Sequence, residues 1–89
     1  MKSRRPSPNF RIAVTSYFLA MRARPDRASI RVEWIIRAMN HPIRQEVQAD
    51  GRIRRWCRVR EFGNRYLRII LLPDGETVHN AFFDRDFVP

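Results

Sequence analysis

The sequence predicts one α+β domain, a two-layer sandwich of order β-α-α-β-β-β-β with two N-terminal helices packed on an antiparallel sheet. Three observations indicate this fold class: apolar residues recur at helical spacing up to Asn40, apolar and polar residues alternate from Ile43 onward, and three glycine-containing turns divide the second half. A chain of 89 residues has room for one core. Residues 10–89 are therefore expected to form a single domain, preceded by a mobile basic arm at residues 1–9.

The first part of the chain predicts a strand over residues 10–14 and a short helix over residues 17–23. Thr15 or Ser16 can cap this helix, because short hydroxyl side chains accept hydrogen bonds from the first helical turn. The candidates for its core-facing side are Phe18, Met21 and Leu19. Pro25 ends the helix, since proline cannot continue one.

A second helix is predicted to begin after a cap at Asp26 or Ser29 and to run to about Asn40. Its apolar stripe at helical spacing consists of Ile30, Trp34, Ile35, Ala38 and Met39. Glu33 and Arg37 are four residues apart, which predicts a supporting ion pair on the outer side. A proline shortly after Asn40 marks the end of the helix.

The second half predicts a four-stranded antiparallel meander, with strands at residues 43–49, 52–61, 65–72 and 76–83. Asp50-Gly51 is typical of a two-residue hairpin turn, and two further turns follow the second and third strands. The third strand is apolar on both faces, which predicts an interior place in the sheet. Because the helices cover one face, the other face is expected to be open, with residues 84–89 as a tail.

Arginine dominates the predicted hairpin at residues 50–72. The formal net charge is +9, and Lys2 is the only lysine. Strand alternation places one row on the open face: Arg52, Arg54, Trp56, Arg58 and Arg60. Guanidinium groups bind phosphate in a fork and tryptophan stacks on bases, so this row, joined by Arg68 on the next strand, predicts an RNA-binding surface. An acidic protein partner would suit the same positive field.

Cysteine and histidine usage gives no sign of a metal centre or a disulfide framework. Cys57 is the only cysteine, and together with His41 and His79 it lacks the spacing of a zinc site. Neither a metal nor another cofactor is expected. No stretch has transmembrane length, and no cleavage site follows the basic start, so a soluble cytoplasmic protein without a membrane partner is expected.

Three segments resemble the RelE/ParE-type toxins of bacterial toxin–antitoxin pairs, within the wider barnase/EndoU/colicin/RelE-like ribonuclease superfamily. They are RARPDRASI at 22–30, QADGRIRRW at 48–56 and RYLRIILLPDGETVHNAFFDR at 65–85. The resemblance implies a bacterial endoribonuclease that acts on RNA, free or on the ribosome, without a metal, and a small antitoxin protein as its partner. The alternatives are a non-catalytic RNA- or ribosome-binding relative, and a protein-interaction module whose basic face docks an acidic partner.

Metal-free RNA cleavage needs groups that move protons and a cation that stabilises the phosphorane. His79 is the candidate acid or base, because its intrinsic pKa lies near working pH; strand alternation places it on one face with Ala81 and Phe83. The alternative is a half-buried histidine that only forms a hydrogen bond. The resemblance adds Tyr17, where related members usually carry histidine, and Arg85, which follows the last strand where they often place a catalytic side chain. A surface ion pair is the alternative role for Arg85.

Overall fold

The computed structural model describes residues 12–89, in which helices α1 (Ser16–Arg22) and α2 (Val32–Asn40) precede four strands. The strands are β1 (Arg44–Val47), β2 (Ile53–Val59), β3 (Arg65–Leu71) and β4 (Val78–Phe83). They form one antiparallel sheet in the order β1-β2-β3-β4. Two helices with a four-stranded antiparallel meander confirm the predicted α+β class. The predicted basic arm at residues 1–9 lies outside the described residues.

The predicted first strand lies partly outside the described residues. Within them, Val14 forms a parallel bridge with Val78 at the start of β4. Thr15 N donates to Val78 O at 3.0 Å, and Val78 N donates to Ala13 O at 2.9 Å. The chain therefore runs along the beginning of β4 immediately before it enters α1.

Helix α1 begins at the residue that follows Thr15, one of its two predicted caps. Thr15 Oγ1 accepts a hydrogen bond from Phe18 N at 3.0 Å, which satisfies a backbone donor of the first turn. Phe18 is buried, as predicted, whereas Leu19 is 59% exposed. The prediction of Leu19 as a core residue is wrong, because the short helix turns only one narrow side toward the sheet.

Helix α2 begins at Val32, later than its predicted caps at Asp26 or Ser29. Hydrogen-bonded turns occupy the intervening residues, and Ala28 N donates to Arg24 O at 3.1 Å. The late start is a correction to the predicted boundary. The end at Asn40 agrees with the prediction.

The predicted Glu33–Arg37 pair on α2 does not form. Arg37 Nη2 lies 2.8 Å from Glu61 Oε2, beyond the end of β2, and Glu33 pairs with Arg31 at 3.3 Å. The hydrogen bond from Arg37 lowers the pKa of Glu61 to about 2. This pair connects the helix to the chain segment that links β2 and β3.

The hydrophobic core lies between the helices and one face of the sheet. Its side chains at 0% exposure are Ile35, Ala38, Val59, Leu67, Ile69, Leu71 and Val78. Full burial of each large aliphatic side chain contributes about 1.5–3 kcal/mol. Because β3 lies between β2 and β4, its prediction as an interior strand is confirmed.

The β1–β2 hairpin has a three-residue loop instead of the predicted two-residue turn. Gln48 N donates to Arg52 O at 2.8 Å, and Gly51 N donates to Gln48 O at 2.9 Å. A two-residue type I′ turn requires positive φ at both central residues. Gly51 has a φ of 90°, whereas the φ of Asp50 is not positive. Gly51 therefore occupies the left-handed position that closes a three-residue loop.

Strand β2 ends at Val59, two residues before its predicted end. Residues Arg60–Phe62 form a 3₁₀ turn instead. The Glu61–Arg37 pair holds this segment against α2, and the Phe62 ring lies 5.5 Å from the Trp34 ring between centroids. Arg60 therefore leaves the strand, and its predicted place in the arginine row of β2 is wrong.

The thiol of Cys57 is buried against α2, with Sγ 3.6 Å from Trp34 O. Burial raises the pKa of Cys57 from 9.0 to about 11. At mildly alkaline pH, this shift alone is expected to slow the reaction of the thiol with Ellman's reagent about 100-fold relative to the unfolded chain, because each pKa unit changes the thiolate fraction tenfold. Ellman's reagent with and without guanidinium chloride measures this difference. Equal rates in the two conditions would contradict a closed core at Cys57.

Candidate functional site

The sheet face opposite the helices carries a cross-strand row of alternating arginine and aromatic side chains. The register aligns Arg44 with Trp56, Trp56 with Arg68, and Arg68 with Phe82. The Arg68 guanidinium carbon lies 4.7 Å from the Phe82 ring centroid and 5.8 Å from that of Trp56. A cation at these distances is attracted to the faces of the rings. Several side chains of this row are therefore already in contact with one another within the domain.

The C-terminal tail crosses this face and covers Trp56. Phe87 stacks on the Trp56 ring with centroids 4.9 Å apart. Trp56 Nε1 donates to Asp84 Oδ2 at 3.0 Å, and Trp56 is only 3% exposed. The predictions of a free sheet face and of Trp56 as an accessible stacking platform are therefore wrong. The tail supplies the aromatic and carboxylate partners that the sheet face lacks.

Replacing Phe87 with alanine is expected to uncover Trp56. The substitution removes the ring that stacks on Trp56 and that lies 5.0 Å from the Arg44 guanidinium. Because Phe87 is only half-buried, we expect a stability loss of about 1–2 kcal/mol, less than for a core phenylalanine. Acrylamide should then quench tryptophan fluorescence more strongly. Val88→Ala, at the exposed next residue, is the matched control, and unchanged quenching in Phe87→Ala would contradict this packing.

Arg68, which was predicted to bind RNA, forms an ion pair with the C-terminal tail. Its Nη1 lies 3.5 Å from Asp84 Oδ2, and the two side chains are 25% and 13% exposed. Arg68 Nε is buried and has no hydrogen-bond partner in the described part of the chain. The structure therefore places Arg68 beneath the tail, where it pairs with a carboxylate, and contradicts its expected exposure on an open face.

The other arginines of the predicted row are accessible at the rim of this face or beyond it. Three make partners near the surface: Arg52 with Asp50 at 3.8 Å, Arg54 with Glu46 at 3.6 Å, and Arg58 with the Tyr66 hydroxyl at 2.9 Å. Arg60 is exposed on the 3₁₀ turn. Exposed ion pairs contribute little to stability, so a phosphate can replace the carboxylate partner at small cost.

His79 lies at a β-bulge near the start of β4. Ile70 pairs with Asn80 but the next residue, Leu71, pairs with Val78, so His79 is the extra residue. Val78 at this bulge is fully buried, and His79 is partly buried. The alternation on which the predicted face of His79 rests is therefore interrupted at this residue.

His79 contacts the beginning of α1, and we call Thr15, Tyr17, Arg52 and His79 the histidine cluster. His79 Nδ1 lies 3.1 Å from Thr15 Oγ1, and its ring stacks on Tyr17 with centroids 4.7 Å apart. Tyr17 is 46% exposed, so the cluster is open to solvent. Burial, and secondly the charge of Arg52, lower the pKa of His79 below 6.5. At neutral pH the neutral imidazole, which can accept a proton, therefore predominates.

Thr15 is a member of the cluster that sequence reasoning considered only as a helix cap. Its Oγ1 accepts from Phe18 N and also contacts His79 Nδ1. A hydroxyl has one donor and two acceptor sites, so Thr15 can donate to a bare Nδ1 or accept from a protonated one. In the sequence, this role was indicated by the position of Thr15, which lies two residues before Tyr17 at the start of the helix that it caps.

Arg85 lies toward the other end of β4 from His79. The two residues are six positions apart along a mostly extended chain, a distance of roughly 20 Å at the usual rise per strand residue. Arg85 lines an open cavity of about 470 Å³ together with Arg65 and Phe83. The predicted catalytic residues therefore divide into two places, with Tyr17 and His79 together and Arg85 apart. Sequence reasoning missed Arg65 as a neighbour of Arg85, because β3–β4 pairing brings them together.

The described residues were compared with the requirements of a metal site and of a membrane-spanning helix, and they meet neither. Within residues 12–89, no three histidine, cysteine, aspartate or glutamate side chains are grouped to hold a metal ion. Neither described helix is long and apolar enough to cross a membrane. Comparison of the chain with known proteins finds no matching family, no matching curated protein and no matching solved structure.

Proposed function

We propose that the protein is a RelE-like bacterial toxin that cleaves RNA in the cytoplasm without a metal ion. The observation that carries the proposal is the histidine cluster, where His79 stacks on Tyr17 near Arg52 at the surface of a chain with net charge +9. A neutral imidazole is a suitable base for a ribose hydroxyl, and a guanidinium stabilises a phosphorane. The resemblance of residues 22–30, 48–56 and 65–85 to RelE/ParE-type toxins supports the same function.

The proposed reaction is a transesterification within the RNA. His79 removes the proton of the 2′-hydroxyl, the 2′-oxygen bonds to phosphorus, and the bond from phosphorus to the 5′-oxygen breaks. The 5′-oxygen leaves with a proton from the Tyr17 hydroxyl or from water, and the other fragment ends in a 2′,3′-cyclic phosphate. Arg52 offsets the additional negative charge on the phosphorane.

Arginines outside the histidine cluster are proposed to hold the RNA backbone. Within residues 12–89, those that make no ion pair are Arg22, Arg44, Arg55, Arg58, Arg60, Arg65 and Arg85. Each phosphate contact releases counterions, so binding should weaken steeply with salt. A small acidic antitoxin is the proposed protein partner, because it would neutralise the same surface.

RNA binding without cleavage is a second candidate function. The observation that favours it is the shared cavity of Arg65 and Arg85, away from His79. Two guanidinium groups at one cavity can bind a phosphate without an acid or a base. Under this function, the Tyr17–His79 contact would serve only to fasten α1 to β4.

Incubation of the purified protein with single-stranded RNA in EDTA tests these functions. Cleavage that leaves 2′,3′-cyclic phosphate ends is the result expected of the ribonuclease. RNA with 2′-O-methyl groups should bind but stay intact, because it lacks the attacking hydroxyl. Salt-dependent binding with no cleavage of either RNA would favour the second candidate. The absence of binding would overturn both functions and leave the protein-interaction alternative.

A further inference from the structure

Strand β1 is an exposed edge of the sheet. Among residues 12–89 it pairs with β2 alone, and all four of its residues are exposed. Val47 is 65% exposed, and Ile43, immediately before the strand, is 51% exposed. An edge strand with free backbone groups and apolar side chains is a template for pairing with another strand.

The backbone groups of Gln45 and Val47 are directed away from β2. Gln48 N donates to Arg52 O at 2.8 Å, which marks a hydrogen-bonded pair at the hairpin end of the ladder. Because hydrogen-bonded and non-hydrogen-bonded pairs alternate along antiparallel strands, Glu46 and Arg44 also direct their backbone groups to β2. The N–H and C=O groups of Gln45 and Val47 are then available to a further strand.

We propose that two copies of this chain associate through antiparallel β1 strands, with Gln45 opposite Gln45 of the second copy. In this register Arg44 lies opposite Glu46 of the second copy, and Glu46 lies opposite Arg44 of the second copy. Two pairs of opposite charge therefore meet on one face of the joined sheet. Cross-strand pairs of opposite charge are stabilising. The segment Arg-Gln-Glu at residues 44–46 is thus complementary to itself when read antiparallel.

Neighbouring registers lack this complementarity. Centring the pair on Glu46 would place two carboxylates opposite each other, and centring it on Arg44 would oppose two guanidinium groups. Like charges in directly opposite positions destabilise a strand pair.

The proposed dimer would double the four-stranded sheet of one copy into a continuous sheet. A two-fold axis perpendicular to the sheet keeps equivalent faces on the same side. Both arginine-bearing faces would then point in one direction, and a single RNA could contact both copies at once. The pairing of the strands needs no RNA, so the dimer can be tested independently of the proposed function.

Charge reversal tests the register. Arg44→Glu and Glu46→Arg are each expected to weaken the dimer about tenfold or more, because like charges then meet at two symmetric places. The double variant R44E/E46R should restore the wild-type dissociation constant. Sedimentation equilibrium over a concentration series measures all four proteins. Arg60→Glu and Glu76→Arg, at exposed residues outside β1, make the same charge changes and should leave association unchanged.

Proline at residue 45 tests the backbone pairing. Gln45→Pro removes an outward N–H without removing a β1–β2 hydrogen bond, and edge strands tolerate proline there. The variant is expected to be a folded monomer by circular dichroism and sedimentation. Gln45→Ala loses the 2.6 Å hydrogen bond from Arg55 Nε but keeps the N–H, so it should still dimerise. A monomeric wild type, or a double charge variant as weak as the single variants, would overturn the proposal.

Discussion

Replacing Asp84 with alanine is expected to lower the free energy of unfolding by about 3 kcal/mol. The change leaves the buried Trp56 Nε1 without its acceptor and Arg68 without its carboxylate partner. An unsatisfied buried donor costs about 1–3 kcal/mol, and a broken buried ion pair costs about 3–5 kcal/mol. Arg68 is partly exposed, so water recovers part of the second cost. For a domain of this size, the melting temperature should fall by about 12–24 °C.

Urea unfolding followed by circular dichroism measures this loss, and two variants separate its causes. Asp84→Asn keeps an oxygen acceptor for Trp56 but removes the charge beside Arg68, so its loss should be intermediate. Asp86→Ala, two residues further along the exposed tail, should have little effect. Similar stability of Asp84→Ala and the wild type would show that the tail is not fastened through Trp56.

The fold class could be predicted because its core residues follow a spacing that is visible in the sequence. Trp34, Ile35 and Ala38 lie on one side of a helix, and all three are buried. Leu67 and Leu71 alternate with half-buried residues on β3 and are fully buried. Local spacing decides which side of an element is apolar, and burial of that side determines the layers of the fold.

Several element boundaries could not be predicted, because distant contacts decide them. Residue 60 leaves β2 where the following Glu61 pairs with Arg37 on α2. The bulge at His79 depends on how β4 fits both β3 and the incoming segment at Val14. Alternation describes an uninterrupted strand, so it contains no information on an inserted residue.

The sequence predicted which residue types would form the candidate site, but not their surroundings. Trp56 and the arginines beside it have the pattern of a solvent-facing strand, yet Asp84, which is 28 residues later, binds the indole and holds the tail over it. The same kind of long-range contact joins Thr15 to His79, which are 64 residues apart. Both contacts require the completed sheet, so no local pattern indicates them.

Replacing His79 with alanine is expected to reduce RNA cleavage 100-fold or more, the usual loss on removing a general acid or base. RNA affinity should change little, because the arginines that are proposed to hold the backbone remain. His79→Gln can still hydrogen-bond to Thr15 but cannot exchange a proton near neutral pH. It should therefore be as inactive as His79→Ala, whereas a purely structural histidine would be partly replaced by glutamine. His41→Ala, at the exposed end of α2, is the matched control and should cleave normally.

The pH dependence of cleavage gives a second readout of His79. Burial and Arg52 lower its pKa below 6.5, so the neutral base predominates in the folded protein at neutral pH. The cleavage rate should rise with pH through a midpoint below 6.5 and then level off. Because the unfolded chain binds the proton more tightly, this residue's contribution to stability should be lost as the pH falls from about 6.5 through the lower folded-state pKa. A midpoint above 6.5, or unchanged cleavage by both His79 variants, would show that His79 is not the base.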